Sequence, residues 1–291
     1  MSGTLGMLSA VLLGVGCLTL CRIGHAGDLF EIQVYEAEVN NPLQAGLEAH
    51  LNYTFSGRRS AEYAGEAVPH HAARLTLEPA LGLTEYLEVG AYLQNMIDRD
   101  GTYRFAGWKL RTKWVVPRRY TGRFFLGINA EIGKVPRAVE EHGWANEFRP
   151  ILGYDDGHWL FDVNPIFGYA LSGPDKLRPD FEPAGKVAFN TQLGFSIGTE
   201  YYAGLGYLSA LPAPRSEQDH LLFLTFDLAQ PASAKSLRAP RTEAQSTSGE
   251  NPTPESDEAE LPFELNVGLG RGLSDATPQR WIVKAIFGRA F

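Results

Sequence analysis

The chain has 291 residues, with 34 acidic and 26 basic side chains and a formal charge of −8. An acidic balance with no dense basic face excludes a nucleic-acid partner. Hydrophobic residues make up 44% and aromatics 11%, alongside 31 glycines; with one long apolar run in the whole chain, this excludes a bundle of membrane-spanning helices and suits a β-rich protein with many turns.

That apolar run is residues 5–21, LGMLSAVLLGVGCLTLC, followed by the small-x-small site Gly24-His25-Ala26. It predicts a secretory signal peptide over 1–26, although no Lys or Arg precedes it. An uncleaved anchor is the alternative, but the run falls short of the ~20 residues a helical span needs. Lipidation at Cys21 is disfavoured by the bulk of Leu20. Both cysteines, Cys17 and Cys21, lie in this segment, so the mature chain, 27–291, has no disulfide to hold it.

From residue 44 onward, a period-two alternation recurs about a dozen times. In 44–55, Ala45, Leu47, Ala49, Leu51, Tyr53 and Phe55 take one face, against Gln44, Glu48, His50, Asn52 and Thr54. The pattern returns at 71–79, 86–96, 103–116, 123–134, 146–154, 158–171, 181–195, 199–208 and 261–271, while 220–229 is too uniformly apolar to phase. It ends on 281–291, WIVKAIFGRAF, where Trp281, Val283, Ala285, Phe287 and Phe291 share a face opposite Lys284. Each run has about the 9–11 residues of a tilted transmembrane strand. The connections alternate long and short, and Asp155-Asp156-Gly157 supplies turn chemistry in a short one. One connection breaks the rule: 231–260 is rich in Pro, Ser and Thr, lacks aromatics, and ends in ESDEAE. It predicts a disordered inter-strand insertion on the short-turn side, either a tolerated loop or a tether for a partner.

A bilayer core demands that every backbone polar group be paired inside the protein, so short alternating segments can span it only as a closed barrel. The alternation, the loop parity and the terminal Phe291 resemble bacterial outer-membrane β-barrels over essentially the whole mature chain. That resemblance implies a closed antiparallel up-and-down barrel of about twelve strands in a Gram-negative outer membrane, in contact with its lipid. It also implies recognition of Phe291 by the barrel-assembly machinery. A periplasmic β-sandwich or lipocalin-like barrel is the competing fold; nothing in it requires the loop parity. The stretches FEIQVYEAEVN, WLFDVNPIFGYALSGPDK and AGKVAFNTQLGF are similar to a group of exported proteobacterial proteins, from which no function carries over.

On the barrel reading, Trp108, Trp114, Trp159 and Trp281 fall on the lipid face as interfacial girdles. The lumen face carries Glu48, His50, Lys109, Arg111, Lys113, Arg123, Glu131, Glu147, Arg149, Asp162 and Lys186. Such balanced charge suits either a narrow porin-like channel for small solutes or a filled, closed lumen that serves a structural or partner-binding role. Lys109, Arg111 and Lys113, with Arg123 beyond, form the candidate constriction, which attracts anions unless acids such as Glu131 and Glu147 pair with it. No cofactor, metal or catalytic motif is expected: GxSxG, HExxH and CxxC are absent. A lipid-hydrolysing barrel would draw on His70, His71 or His142, but strand alternation would send His70 and His71 to opposite faces.

Overall fold

Side chains that alternate apolar and polar at period two are satisfied when one face of a strand meets lipid and the other a polar interior. That is how the chain is built in the computed structural model, which describes residues 28–228, apart from 142, 175 and 192, and residues 263–291. The expected signal peptide over 1–26 and the 231–260 insertion lie outside the described residues.

The strands are β1 (Ala45–Gly57), β2 (Ala73–Thr84), β3 (Leu87–Ile97), β4 (Tyr103–Val116), β5 (Phe124–Lys134), β6 (Trp144–Asp155), β7 (Trp159–Asn164) and β8 (Phe167–Ala170). They continue as β9 (Asp180–Phe181), β10 (Ala184–Asn190), β11 (Ser196–Gly204), β12 (Asp219–Leu228), β13 (Phe263–Gly272) and β14 (Gln279–Ala290). One helical turn, α1 (Arg118–Thr121), lies between β4 and β5.

All pairings are antiparallel between neighbours, β5 pairs with β6, and β1 pairs with β14, so the sheet closes. The result is a barrel of 12 strands, because β7–β8 and β9–β10 are each one stave interrupted by a proline. Pro165 and Pro183 lack the N–H that a ladder requires, which breaks both staves at facing positions. The closing seam runs from Gly46↔Ala290 to Gly57↔Gln279, and the Phe291 N–H reaches Ala45 O at 2.8 Å.

One rim carries the turns at 85–86, 117–123, 156–158 and 191–195, together with both ends of the strand ring; the opposite rim carries loops that are longer on the whole, up to 58–72 and 205–218. At the short-turn rim, the Arg119 guanidinium bonds to the Glu85 carboxyl and holds its pKa down to about 2.

The outer wall is apolar: Leu51, Leu110, Leu152, Val163 and Leu224 are all about half exposed to what would be lipid. Trp114 and Trp159 sit toward the short-turn rim near Phe124, Tyr154 and Phe189. Trp108 and Trp281 sit toward the long-loop rim. There Trp108 meets Trp144 edge to face, at 6.0 Å between centroids. Trp144 precedes the strand expected at 146–154 and was not among the expected girdle residues.

Candidate functional site: a lumen threaded by the N-terminal segment

The inward parity of each strand points into the lumen, and the segment before β1 runs through it. Residues 28–41 form no strand, yet Phe30, Glu31, Ile32, Val34, Tyr35 and Ala37 are at most 4% exposed. The segment is itself amphipathic and seats three apolar clusters at successive levels. Phe30 sits with Ala72, Met96 and Ala106 near the long-loop rim. Ile32 and Val34 pack on Ile166, Tyr202, Leu221, Phe223 and Ile282. Tyr35 and Ala37, with Val39, meet Val115, Phe125, Ile151 and Leu160 toward the short turns.

An extended segment without a β partner leaves its backbone groups to be satisfied by side chains. The wall supplies them. Asn164 Oδ1 accepts the Tyr35 N–H at 2.6 Å while its Nδ2 donates to Tyr35 O at 3.1 Å, standing in for a neighbouring strand. Asn52 donates to Leu29 O at 3.0 Å, Lys284 to Ile32 O at 3.0 Å, and Arg149 to Gln33 O at 3.2 Å. At the short-turn end, Asn40 donates both its backbone N–H and its Nδ2 to Glu88 Oε2, at 2.8 and 2.7 Å. Gly82 is needed there, since a Cβ on it would lie 2.3 Å from the carbonyl oxygens of Asn40 and Asn41.

Charges follow the same logic: buried ions persist when paired. The Lys109 ammonium lies 2.5 Å from Asp28, 3.2 Å from Glu131 and 3.6 Å from Glu31. Gln94 ties Asp28 and Glu31 together from the opposite side, at 3.1 and 2.9 Å. Arg111 bridges Glu78 at 2.6 Å and Glu88 at 2.7 Å. Lys113 is 3.9 Å from Glu88 and stands over the Tyr35 ring. Arg149 bonds Glu147 at 2.7 Å and stacks on Tyr35 at 4.4 Å. Lys186 joins Asp227 at 3.0 Å and Glu36 at 3.9 Å, and Lys284 bonds Glu200. The Tyr35 and Tyr92 hydroxyls meet at 2.6 Å, and Tyr92 continues to Glu131 at 3.2 Å. Asp162 is buried beneath the Asn164 amide at 3.0 Å.

The expected column Lys109–Arg111–Lys113 therefore faces inward, but it is not a bare cationic constriction. Its main partners are Asp28 and Glu31 of the threaded segment and Glu78 and Glu88 of the wall, with Glu131 sharing Lys109. Glu147 serves Arg149 instead. Glu48 and His50 lie on the wall toward the short-turn rim. Arg123 is not in the lumen: it precedes β5, is exposed in the turn, and reaches the Tyr154 hydroxyl at 3.5 Å. The strand alternation that was carried back to it on paper begins one residue later, at Phe124.

His70 and His71 also depart from expectation. Both precede β2, with His71 at φ 56, and their rings meet edge to face at 4.2 Å rather than on opposite faces. They line a cleft with Arg59, Arg99 and Asp100 at the long-loop rim. His142 is outside the described residues.

The reading from sequence missed the threaded segment altogether. Its signal was present: Phe30, Ile32 and Val34 alternate, then Tyr35, Ala37 and Val39 resume on the other parity. Matching apolar residues, Tyr92, Phe125, Phe223 and Ile282, stand on the lumen parity.

No protein-family model and no curated protein sequence matches the chain. Solved structures do. The COG4313 outer membrane channel from Pseudomonas putida F1 superposes with a TM-score of 0.53 at 11% identity, over 90% of this chain and 100% of that one. The KdgM porin gives 0.48 at 8% identity over 84% and 99%, and the NanC porin 0.47 at 8% over 84% and 98%. The last two superpose too loosely to carry weight. The first shows a common fold, that of an outer-membrane β-barrel.

Proposed function

We propose that the chain is an outer-membrane channel for small polar solutes whose path is closed at rest by its own residues 28–41. The observation that carries this reading is how the segment is held. It is threaded through a polar lumen by side-chain contacts and makes no strand pairing with the wall, so it can leave without opening the barrel ladder. Short turns in such barrels face the periplasm, which roots the segment at the periplasmic rim. Phe291 at the closing seam is the natural handle for the assembly machinery.

A closed-lumen barrel with a structural role is the second reading, and the three apolar seats under Phe30, Ile32 and Tyr35 favour it. Single-channel recording in a planar bilayer separates the two. The wild-type protein is expected to give rare or small steps, and a variant lacking 28–41 steps several times larger. The deletion removes Asp28, Glu31, Glu36 and Glu38 and no base, so the reversal potential in a salt gradient should move toward anions. A folded deletion variant as silent as wild type would leave only the closed-lumen reading.

A further inference from the structure

One group of lumen residues is not absorbed by the contacts of the threaded segment. Glu48 and Glu78 stand directly opposite each other on β1 and β2, and His50 lies two residues on along the same inward face. A nitrogen of His50 and one carboxylate oxygen from each glutamate lie within 4.8 Å of one another. His50 Nε2 is 3.1 Å from Glu78 Oε2 and 3.5 Å from Glu48 Oε2.

Hydrogen bonding alone leaves this group unsatisfied. A single imidazole N–H serves one carboxylate, and Glu48 Oε2, buried as an atom, has no hydrogen-bond partner. His50 is itself 0% exposed, with Nδ1 also unpartnered. The Glu78 carboxylate is held in place from its other side, where Oε1 accepts from Arg111 Nε at 2.6 Å. Oε2 is thereby fixed toward His50. Gly288, opposite Glu48 on β14, leaves the Glu48 side chain its room: a Cβ there would be 3.1 Å from Glu48 Cγ. The Glu48 side chain is 30% exposed, which gives an ion a way in.

We propose that Glu48, His50 and Glu78 form a binding site for a divalent cation of the zinc class in the barrel wall. One imidazole nitrogen and two carboxylate oxygens are a donor set that zinc accepts at ~2.0–2.2 Å, with three protein ligands leaving a further position open to water or a passing solute. The ion takes up the Glu48 charge, since the imidazole proton goes to Glu78 and Arg111 is engaged by Glu78 and Glu88.

The test is calorimetric titration of the folded, metal-stripped protein in detergent with Zn2+, with each variant first shown to be folded. One saturable site per chain is expected, weakened ~10-fold or more in His50→Gln and in Glu48→Gln. His220→Gln, at the long-loop rim, should bind as wild type does. Co2+ in place of Zn2+ should give a visible absorption band that His50→Gln abolishes. Glu48→Gln is nearly isosteric and partly exposed, so it keeps the test open if His50→Gln fails to fold. Absence of saturable binding to wild type, or wild-type affinity in both ligand variants, overturns the proposal.

Discussion

Arg111 carries two carboxylates at once. With 2% of its side chain exposed, it bonds Glu78 through Nε and Glu88 through a terminal nitrogen, and Glu88 in turn holds Asn40 of the threaded segment. Removing the guanidinium leaves two buried acids facing each other, so Arg111→Met is expected to cost about 3–5 kcal/mol. The midpoint of urea unfolding in a lipid-supported preparation measures it; an unchanged midpoint would show that water screens this part of the lumen. Alternation along β4 told which way Arg111, Lys109 and Lys113 point, because side-chain direction in a strand is a local property. Of their partners only Glu131 was anticipated, and it does meet Lys109; the others were not legible, since pairing depends on register with β2 and β3 and on a segment some eighty residues upstream. Arg123 failed for a related reason: periodicity says nothing about the residue at which a strand gives way to a turn.

At the scale of the element, the segment 28–41 is a core without a secondary structure. Its apolar side chains switch parity between Val34 and Tyr35, which suits a chain meeting different walls at different depths and suits no sheet. A search for strands passes over it for that reason, whereas the wall strands, each governed by one lipid face, were readable nearly residue by residue except β12, whose run of apolar residues hides its phase. The prolines at 165 and 183 explain where two staves were read as continuous and are not. The exit of the segment depends on one close approach, at Gly82. Gly82→Val places carbon where the Asn40 and Asn41 carbonyls now lie, at the end of β2 where the register with β3 is already irregular. The variant is expected to fold as a barrel but to hold the segment poorly, giving more frequent open events in single-channel recording than wild type.

For the whole molecule, closure and loop parity were the features that the order of residues displayed most fully, because the lipid imposes the same demand on every stave. That demand is testable on a residue with no other duty. Leu110, at the middle of β4 and 52% exposed, touches the outer wall only. Leu110→Arg is expected to destabilise the folded barrel in lipid by about 2–4 kcal/mol, and the same change near a rim by much less; equal costs at both depths would argue against a bilayer around this wall.

The ring formed by β1 and β14 has a topological side to it. A chain inside a closed ring cannot leave sideways through the wall; it departs only along the axis. Residues 28–41 are joined to β1 through Asn41–Gln44, where the Leu43 N–H is held by Gly82 O and Leu43 has a φ of 65. Withdrawn past the short turns, the segment swings free on that hinge. Pushed the other way, it stays strung through the lumen by its own root. On the proposed gating, opening and the choice of side are therefore one event, and a released segment would belong to the compartment on the short-turn side.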